Sequence, residues 1–296
     1  MKTPEGNSPF APMEHGSSLG YEAHYELSET MQVTQYHCHD YYELYFHLRG
    51  GELMGLDDTL YQLKPNQVFI IPPFHMHGLT CTAALHNYER AYLNLSPEVV
   101  DRLGCGQLDL NHFLRSHVGR GRCTYQLSAD NADQFVRVIR EIQQSSPADQ
   151  SPVRRFRDYS LMMSLLTLLT QIIDREDPEE GGIVSNGIIQ EVLSYINMHY
   201  TDPLTIHDLA LRFNISPSYL SHEFTRFTNR GVYDYILYRR VMLSRQMMMS
   251  NDSLNTIAYQ CGFNDYSNFL RSFTRISGQS PSQYRKQLRR YSTPDS

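Results

Sequence analysis

One pattern occurs twice near the C-terminus, and this repeat constrains the fold more than any other feature of the chain. Ala210-x7-Ser218-x-Leu220-x3-Phe224-Thr225-Arg226-Phe227 recurs as Ala258-x8-Ser267-x-Phe269-x3-Phe273-Thr274-Arg275-Ile276. From Phe213/Gly262 onward the offset reads as a constant 49 residues, which also carries Tyr235 onto Tyr284. Each copy predicts helix, tight turn, helix, the unit that lays its second helix in a DNA major groove. Two units in one chain predict two successive grooves read by one polypeptide.

Local chemistry fits this reading. In the first copy Leu209, Ala210 and Phe213 share a helical face, and Asn214-Ile215-Ser216 makes the turn. Ser216 is the expected N-cap, with Pro217 at the first helical position, where its missing N–H costs nothing. Leu220, Phe224 and Phe227 form the apolar stripe of the second helix, leaving Ser218, Ser221, His222 and Arg226 outward. In the second copy Gly262 permits a left-handed turn and Asp265 caps a helix burying Phe269, Phe273 and Ile276. Tyr266, Ser267, Asn268, Arg271 and Arg275 then point away. Helical hairpins of an ordinary bundle would explain the apolar stripes, but not the repeated turn residues and polar faces.

The run Cys261-Gly262-Phe263-Asn264-Asp265-Tyr266-Ser267-Asn268-Phe269-x3-Phe273-x6-Ser280-Pro281-x2-Tyr284-Arg285 resembles the C-terminal signature of the AraC/XylS transcription regulators. The resemblance covers about residues 188–290. It implies base-facing roles for Ser218, Ser221 and His222 in the first unit, and for Tyr266, Ser267, Asn268 and Arg271 in the second. The sequence departs from the family pattern at Ser244, where a small apolar residue is usual, and in the Met247-Met248-Met249 run. His222 also stands where many members carry Arg.

Charge divides in the same place. Residues 187–296 hold 12 Lys/Arg against 8 Asp/Glu, whereas residues 1–186 hold 14 against 24. A basic segment on an acidic chain is the footprint of a phosphate-binding module attached to something else. Arg239, Arg240, Arg245, Arg275, Arg285 and Lys286 are, as a group, candidate phosphate neutralisers.

A chain of 296 residues predicts about two domains. Its five cysteines form no C-x-x-C pair, the N-terminus has no apolar signal core, and Ser164, Thr167, Thr170 and Gln171 interrupt the longest apolar run. These features predict a reduced, cytoplasmic protein with no membrane partner. The expected fold class is α+β: an effector-sensing β-barrel domain (1–130), a helical dimerisation segment (131–176), a linker (177–187) and the double helix-turn-helix domain (188–290).

The first ~100 residues contain nine short runs rich in Tyr, Val, Ile and Phe. Turn signals at Arg49-Gly50-Gly51, Leu56-Asp57-Asp58 and Lys64-Pro65-Asn66-Gln67 separate some of them, predicting an antiparallel barrel or jelly roll. Ten of thirteen histidines precede residue 118. His37-x-His39-x3-Glu43-x6-Gly50, followed by Pro65-x6-Pro72-Pro73-x3-His77, resembles the two halves of the cupin signature, with Asn66-Gln67 in place of the usual Gly-Asp. Sensor domains of this kind are what the family most often joins to its DNA-binding unit.

Strand parity sends His37, His39, Tyr41, Glu43, Tyr45 and His47 to one face and Tyr42, Leu44, Phe46 and Leu48 to the other. The polar face requires partners, which a hydroxylated small molecule supplies. His37, His39, Glu43, Arg49 and His77 are the candidate effector residues and a carbohydrate the expected effector, as the family resemblance also implies. Two other readings stay open: a divalent metal held by His37, His39, Glu43 and His77, or a self-satisfied core network. A metal would make an enzymatic cupin conceivable, but regulation without catalysis or cofactor is the leading expectation.

In the helical segment, Tyr159, Met162, Leu166, Leu169 and Ile173 step by 3, 4, 3, 4, a heptad-like seam. Either the helix packs on its own barrel, or, given the further apolar residues Leu165, Leu168 and Ile172, it forms a homodimer. The dimer is the favoured expectation, so that effector binding alters the arm (residues 1–20) or the dimer helices and hence the fit to paired half-sites on double-stranded DNA.

Overall fold

The structure is a computed structural model that describes residues 19–31, 36–80, 85–118, 123–145, 151–175 and 187–292, without the side chains of 31 and 289–292. The expected arm lies almost wholly outside the described residues, as does nearly all of the linker.

The N-terminal half contains eight strands among the described residues: β1 (Tyr21–Met31), β2 (Tyr42–Arg49), β3 (Leu53–Leu56), β4 (Thr59–Gln62), β5 (Gln67–Ile71), β6 (His77–Thr80), β7 (Leu85–Leu95) and β8 (Thr124–Gln126). They form two antiparallel sheets, in the orders β1-β7-β2-β5-β8 and β4-β3-β6. Tyr61 of β4 meets Phe69 of β5 ring to ring at 5.8 Å, so the sheets share one core. The three turn signals hold: Gly50, Gly51, Asp57 and Asn66 all have positive φ.

One face of the larger sheet is covered by helices. Those in this half are α1 (Pro97–Leu103), α2 (Leu110–Val118), α3 (Ala129–Gln143) and α4 (Pro152–Arg175). Phe46 packs on Phe135 of α3, Arg140 stacks 3.8 Å over the Tyr25 ring, and the Tyr21 hydroxyl donates to the buried Asp158 of α4. The α4 seam is spent inside the chain: Met162, Leu166, Leu169 and Ile173 are buried in the core of the β-rich half, as are Leu165 and Ile172. Of the two packings expected for this helix, the intrachain one accounts for these residues. Any dimer through α4 has to use its other face, where Val153 and Phe156 are exposed.

The C-terminal half is helical: α5 (Ile188–His199), α6 (Ile206–Arg212), α7 (Pro217–Thr228), α8 (Val232–Gln246), α9 (Leu254–Gln260), α10 (Tyr266–Ser277) and α11 (Pro281–Ser292). A single 3-10 turn, Met247–Met249, follows α8. The repeat is visible in the caps. Thr205 and Ser253 cap α6 and α9, and Ser216 and Asp265 cap α7 and α10, each through a side-chain oxygen. Asn214 and Gly262 both take the left-handed conformation. Their pairing corrects the sequence offset: it is still 48 at Ile215/Phe263, whose N–H groups bond equivalent carbonyls (Ala210 and Ala258), and the inserted residue is Asn264. Ser244 is buried because its hydroxyl donates to the Val241 carbonyl within its own helix, at 2.6 Å. Among the described residues, no helix is long and apolar enough to cross a membrane.

The two halves share a boundary. Tyr36, Cys38, Leu60 and Met76 of the β-rich half are buried in the core of the helical half.

Candidate functional site

The second helices of the two units, α7 and α10, bury Leu220, Phe224 and Phe227, and Phe269, Phe273 and Ile276. Opposite them Ser218, His222, Arg226, Ser267, Arg271 and Arg275 are exposed, with Ser221, Tyr266 and Asn268 half-buried. The His222 side chain is 76% exposed and its ring nitrogen lies 3.0 Å from Glu223, which also pairs with Arg226. Arg275 pairs with Asp234 at 3.2 Å. All nine candidate DNA-contacting residues thus occupy two solvent-facing helix surfaces.

The group of candidate phosphate neutralisers divides. Arg239 turns to Asp57 (3.5 Å), Arg240 donates to the carbonyls of Tyr200 and Asp202, and Arg245 pairs with Asp40 (2.5 Å). These three serve internal contacts; Arg275 and Lys286 remain exposed, and Arg285 donates to the Asp252 carbonyl at 2.8 Å.

In the β-rich half, His37, His39 and His77 present ligand atoms within 4.8 Å of one another. They meet because His37 and His77 form an antiparallel bridge that joins the segment entering β2 to the smaller sheet. Glu43 lies beside them, its Oε2 at 2.9 Å from His39 Nε2 and 3.3 Å from His77 Nε2. The other ring nitrogens are committed: His39 Nδ1–H donates to the Tyr41 carbonyl and His77 Nδ1–H to that of His75, both at 2.9 Å. Tyr41 stacks flat on His39 at 3.8 Å. Burial lowers the His39 pKa, with only partial opposition from Glu43. Burial works to raise the Glu43 carboxyl, but hydrogen bonds and charge from His39 and His77 hold it well below the usual carboxylate range.

Four of the five candidate effector residues therefore converge, and Arg49 does not. A register shift between His47 and Arg49 breaks the strand parity, sending Arg49 to pair with Glu89 at 2.6 Å, its side chain 59% exposed. A cation on the inner face is Arg90, directly across from His47. Arg90 donates to Glu26 from Nε (3.0 Å) and Nη2 (2.7 Å), Tyr92 donates to the same carboxylate (3.0 Å), and His24 stacks on Tyr92 at 4.8 Å. The alternation Tyr88, Arg90, Tyr92, Asn94 against Ala91, Leu93, Leu95 along β7 was the available signal for this wall.

Residues 19–166 match the family described as AraC-like ligand binding domain, and residues 209–287 match a helix-turn-helix domain. The chain belongs to the AraC/XylS family. It is a DNA-binding transcription regulator with an N-terminal ligand-binding domain, as the resemblances of its two halves imply. Among its relatives, the HTH-type transcriptional activator RhaS of Pectobacterium carotovorum is 24% identical over 85% of this chain and 87% of its own. The HTH-type transcriptional regulator YdiP of Escherichia coli is 22% identical over 86% and 82% respectively. The solved structure of ToxT from Vibrio cholerae aligns over 90% of this regulator and 98% of its own chain, with 11% identity and a TM-score of 0.35.

Proposed function

We propose that this regulator binds paired DNA half-sites through α7 and α10, and that a small polar molecule bound among the inner-face residues of the β-rich domain controls that binding. Base contacts fall to Ser218, Ser221, His222, Tyr266, Ser267, Asn268 and Arg271, with Arg226 and Arg275 at the flanks. The observation that carries the effector half is the convergence of His37, His39, Glu43 and His77 next to a wall bearing Arg90, Glu26, Tyr92 and His24. Aromatic faces beside a carboxylate and a guanidinium suit a polyhydroxylated ligand, so a sugar is the leading effector class. Two copies acting on paired half-sites make a homodimer the expected assembly.

A second reading, a divalent cation, is favoured by the tautomers. A neutral imidazole carries one N–H. With Nδ1–H of His39 and His77 given to backbone carbonyls, both Nε2 atoms face the same Glu43 oxygen, and in the neutral form of either ring that atom brings a lone pair and no hydrogen. Acceptor faces acceptor unless a proton or cation lies between them. Carbonyl-anchored imidazoles of this kind are the usual outer support of metal-ligating histidines, and three nitrogens with one carboxylate suit a first-row ion. His37, His39 and His77, with Glu43 beside them, are the residues that would hold such an ion.

Thermal unfolding against a panel of mono- and disaccharides, with and without chelator or added Zn²⁺, separates the readings. A ligand at 100 times its Kd adds about 2.7 kcal/mol. A sugar-specific rise indifferent to chelator supports the first reading, and a fall with chelator reversed by Zn²⁺ supports the second. No response to either refutes the effector site.

A further inference from the structure

The segment Tyr36–Asp40 bridges to β6 at His37, and its alternate residues serve different halves of the molecule. His37 and His39 point into the cluster. Tyr36, Cys38 and Asp40 grip the DNA-binding unit. The Tyr36 N–H donates to the Thr228 carbonyl (3.0 Å), and its own carbonyl accepts from Arg230 Nε (3.0 Å) and Nη2 (2.7 Å). The Cys38 N–H donates to the Tyr238 hydroxyl (3.1 Å), which donates back to the Cys38 carbonyl (2.7 Å). Asp40 accepts from Arg245 (2.5 Å) and from the Tyr284 hydroxyl (3.2 Å). A parallel route leaves His77 from the other side. Its Nδ1 partner is the His75 carbonyl, the His75 ring bonds Asp57 (2.6 Å), and Asp57 faces Arg239 (3.5 Å).

The backbone of neighbouring residues cannot move independently, since consecutive Cα atoms are fixed about 3.8 Å apart. Displacing His37 and His39 therefore displaces Tyr36, Cys38 and Asp40. Of their partners, Tyr238 and Arg245 lie along α8, the helix that joins the two helix-turn-helix units, and Arg230 directly precedes its N-cap Gly231.

We infer that Tyr36–Asp40 is the transmission segment of this regulator, with Tyr238, Arg230 and Arg245 as its receiving residues. Occupancy of the histidine cluster and docking of the DNA-binding unit are thereby energetically coupled. The inference rests on the cluster being the effector site; the contacts themselves do not. Coupling of this kind is reciprocal: whatever the cluster does to the docking, the docking does to the cluster. Tyr238 is a positioning residue in this scheme, touching no ligand and acting through the Cys38 backbone.

Hydrogen exchange on the full chain tests the inference from the cluster side, and Ni²⁺ binding tests it from the interface side. Glu43→Gln removes the carboxylate shared by His39 and His77. The expected result is exchange at least about fivefold faster in the peptide covering 230–245, with the α10 peptide unchanged; fivefold is the low end of site-to-site coupling. His39→Ala serves as the second cluster variant should Glu43→Gln fold poorly. Tyr238→Phe, which keeps the ring and removes both hydrogen bonds to Cys38, is expected to shift the Ni²⁺ Kd by a similar factor. Unchanged exchange in 230–245 in a folded cluster variant overturns the inference, as does an unchanged Ni²⁺ Kd in Tyr238→Phe. Absence of Ni²⁺ binding to the wild type refutes the cation reading alone, and the exchange experiment still decides the transmission.

Discussion

The contact between the halves depends on a glycine, which makes it testable without touching a polar group. Tyr36 is fully buried between the smaller sheet and Phe227, its ring 6.0 Å from that of Phe227. A Cβ on Gly55 would lie 1.2 Å from the Tyr36 hydroxyl oxygen and 2.2 Å from Cζ. No rotamer adjustment absorbs such an overlap, so Gly55→Ala forces the ring out of its slot. Overpacking a core typically costs about 1–3 kcal/mol, and here the displaced ring also surrenders its burial against the DNA-binding unit. Tyr36→Ala empties the slot instead and should cost about 3–5 kcal/mol, as for other large aromatic truncations. The decisive quantity is the cycle. In the Tyr36→Ala background the new methyl enters vacated space, so Gly55→Ala should cost no more than about 0.5 kcal/mol there, against at least about 1 kcal/mol in the wild type. The chain has no Trp, so urea unfolding of the four proteins is best followed by far-UV circular dichroism. Equal costs of Gly55→Ala in both backgrounds would refute the packing argument, and with it the role of Tyr36 as the apolar centre of the docking.

Other expectations follow from the same geometry. Arg271→Ala should cost about 1–3 kcal/mol of discrimination at one operator base pair, measured by titrating single-base operator variants; equal loss on every sequence would make it a phosphate contact. Arg90→Ala should abolish the effector-induced rise in melting temperature while Arg49→Ala leaves it intact, and the reverse would restore simple strand parity through residue 49. Burial pushes the His47 pKa down to about 4, so the native state stays unprotonated where the unfolded chain gains a proton. That contribution is therefore fully present above pH 6.5, is lost as pH falls to 4, and amounts to about 3 kcal/mol. His47→Gln should flatten the urea-measured stability profile across that window; an unchanged slope would assign the acid sensitivity to other groups.

The helical half was almost fully legible in the sequence because its determinants are local. Capping oxygens at Ser216 and Asp265, Pro217 at a first helical turn and Gly262 in a left-handed turn each act within a few residues. The single-residue error in the repeat arose where Asn264 extends a turn, a place where apolar periodicity carries no information. In the β-rich half, alternation found the face bearing Glu43, Tyr45 and His47, then failed at Arg49. A one-residue bulge inverts parity beyond it, and although Gly50-Gly51 marks a turn, it does not say that the pairing has already shifted at Leu48.

The docking of the two halves was illegible for a different reason. Arg239 and Arg245, on a basic unit, read as phosphate contacts because charge alone does not say whether a guanidinium faces DNA or an internal carboxylate. In the fold they meet Asp57 and Asp40. Burial works against the Arg245 charge, and Asp40 with Tyr284 outweighs it, holding the guanidinium above its ordinary pKa. Part of the charge asymmetry between the halves thus serves the joint between them. The salt dependence of DNA binding should accordingly report fewer phosphate contacts than the count of arginines implies. Neutralising each phosphate contributes about −0.9 to the slope of log K against log [salt]. Arg275→Ala should therefore reduce that slope by about one contact, while Arg240→Ala, whose guanidinium is tied to the carbonyls of Tyr200 and Asp202, should leave it unchanged while lowering stability.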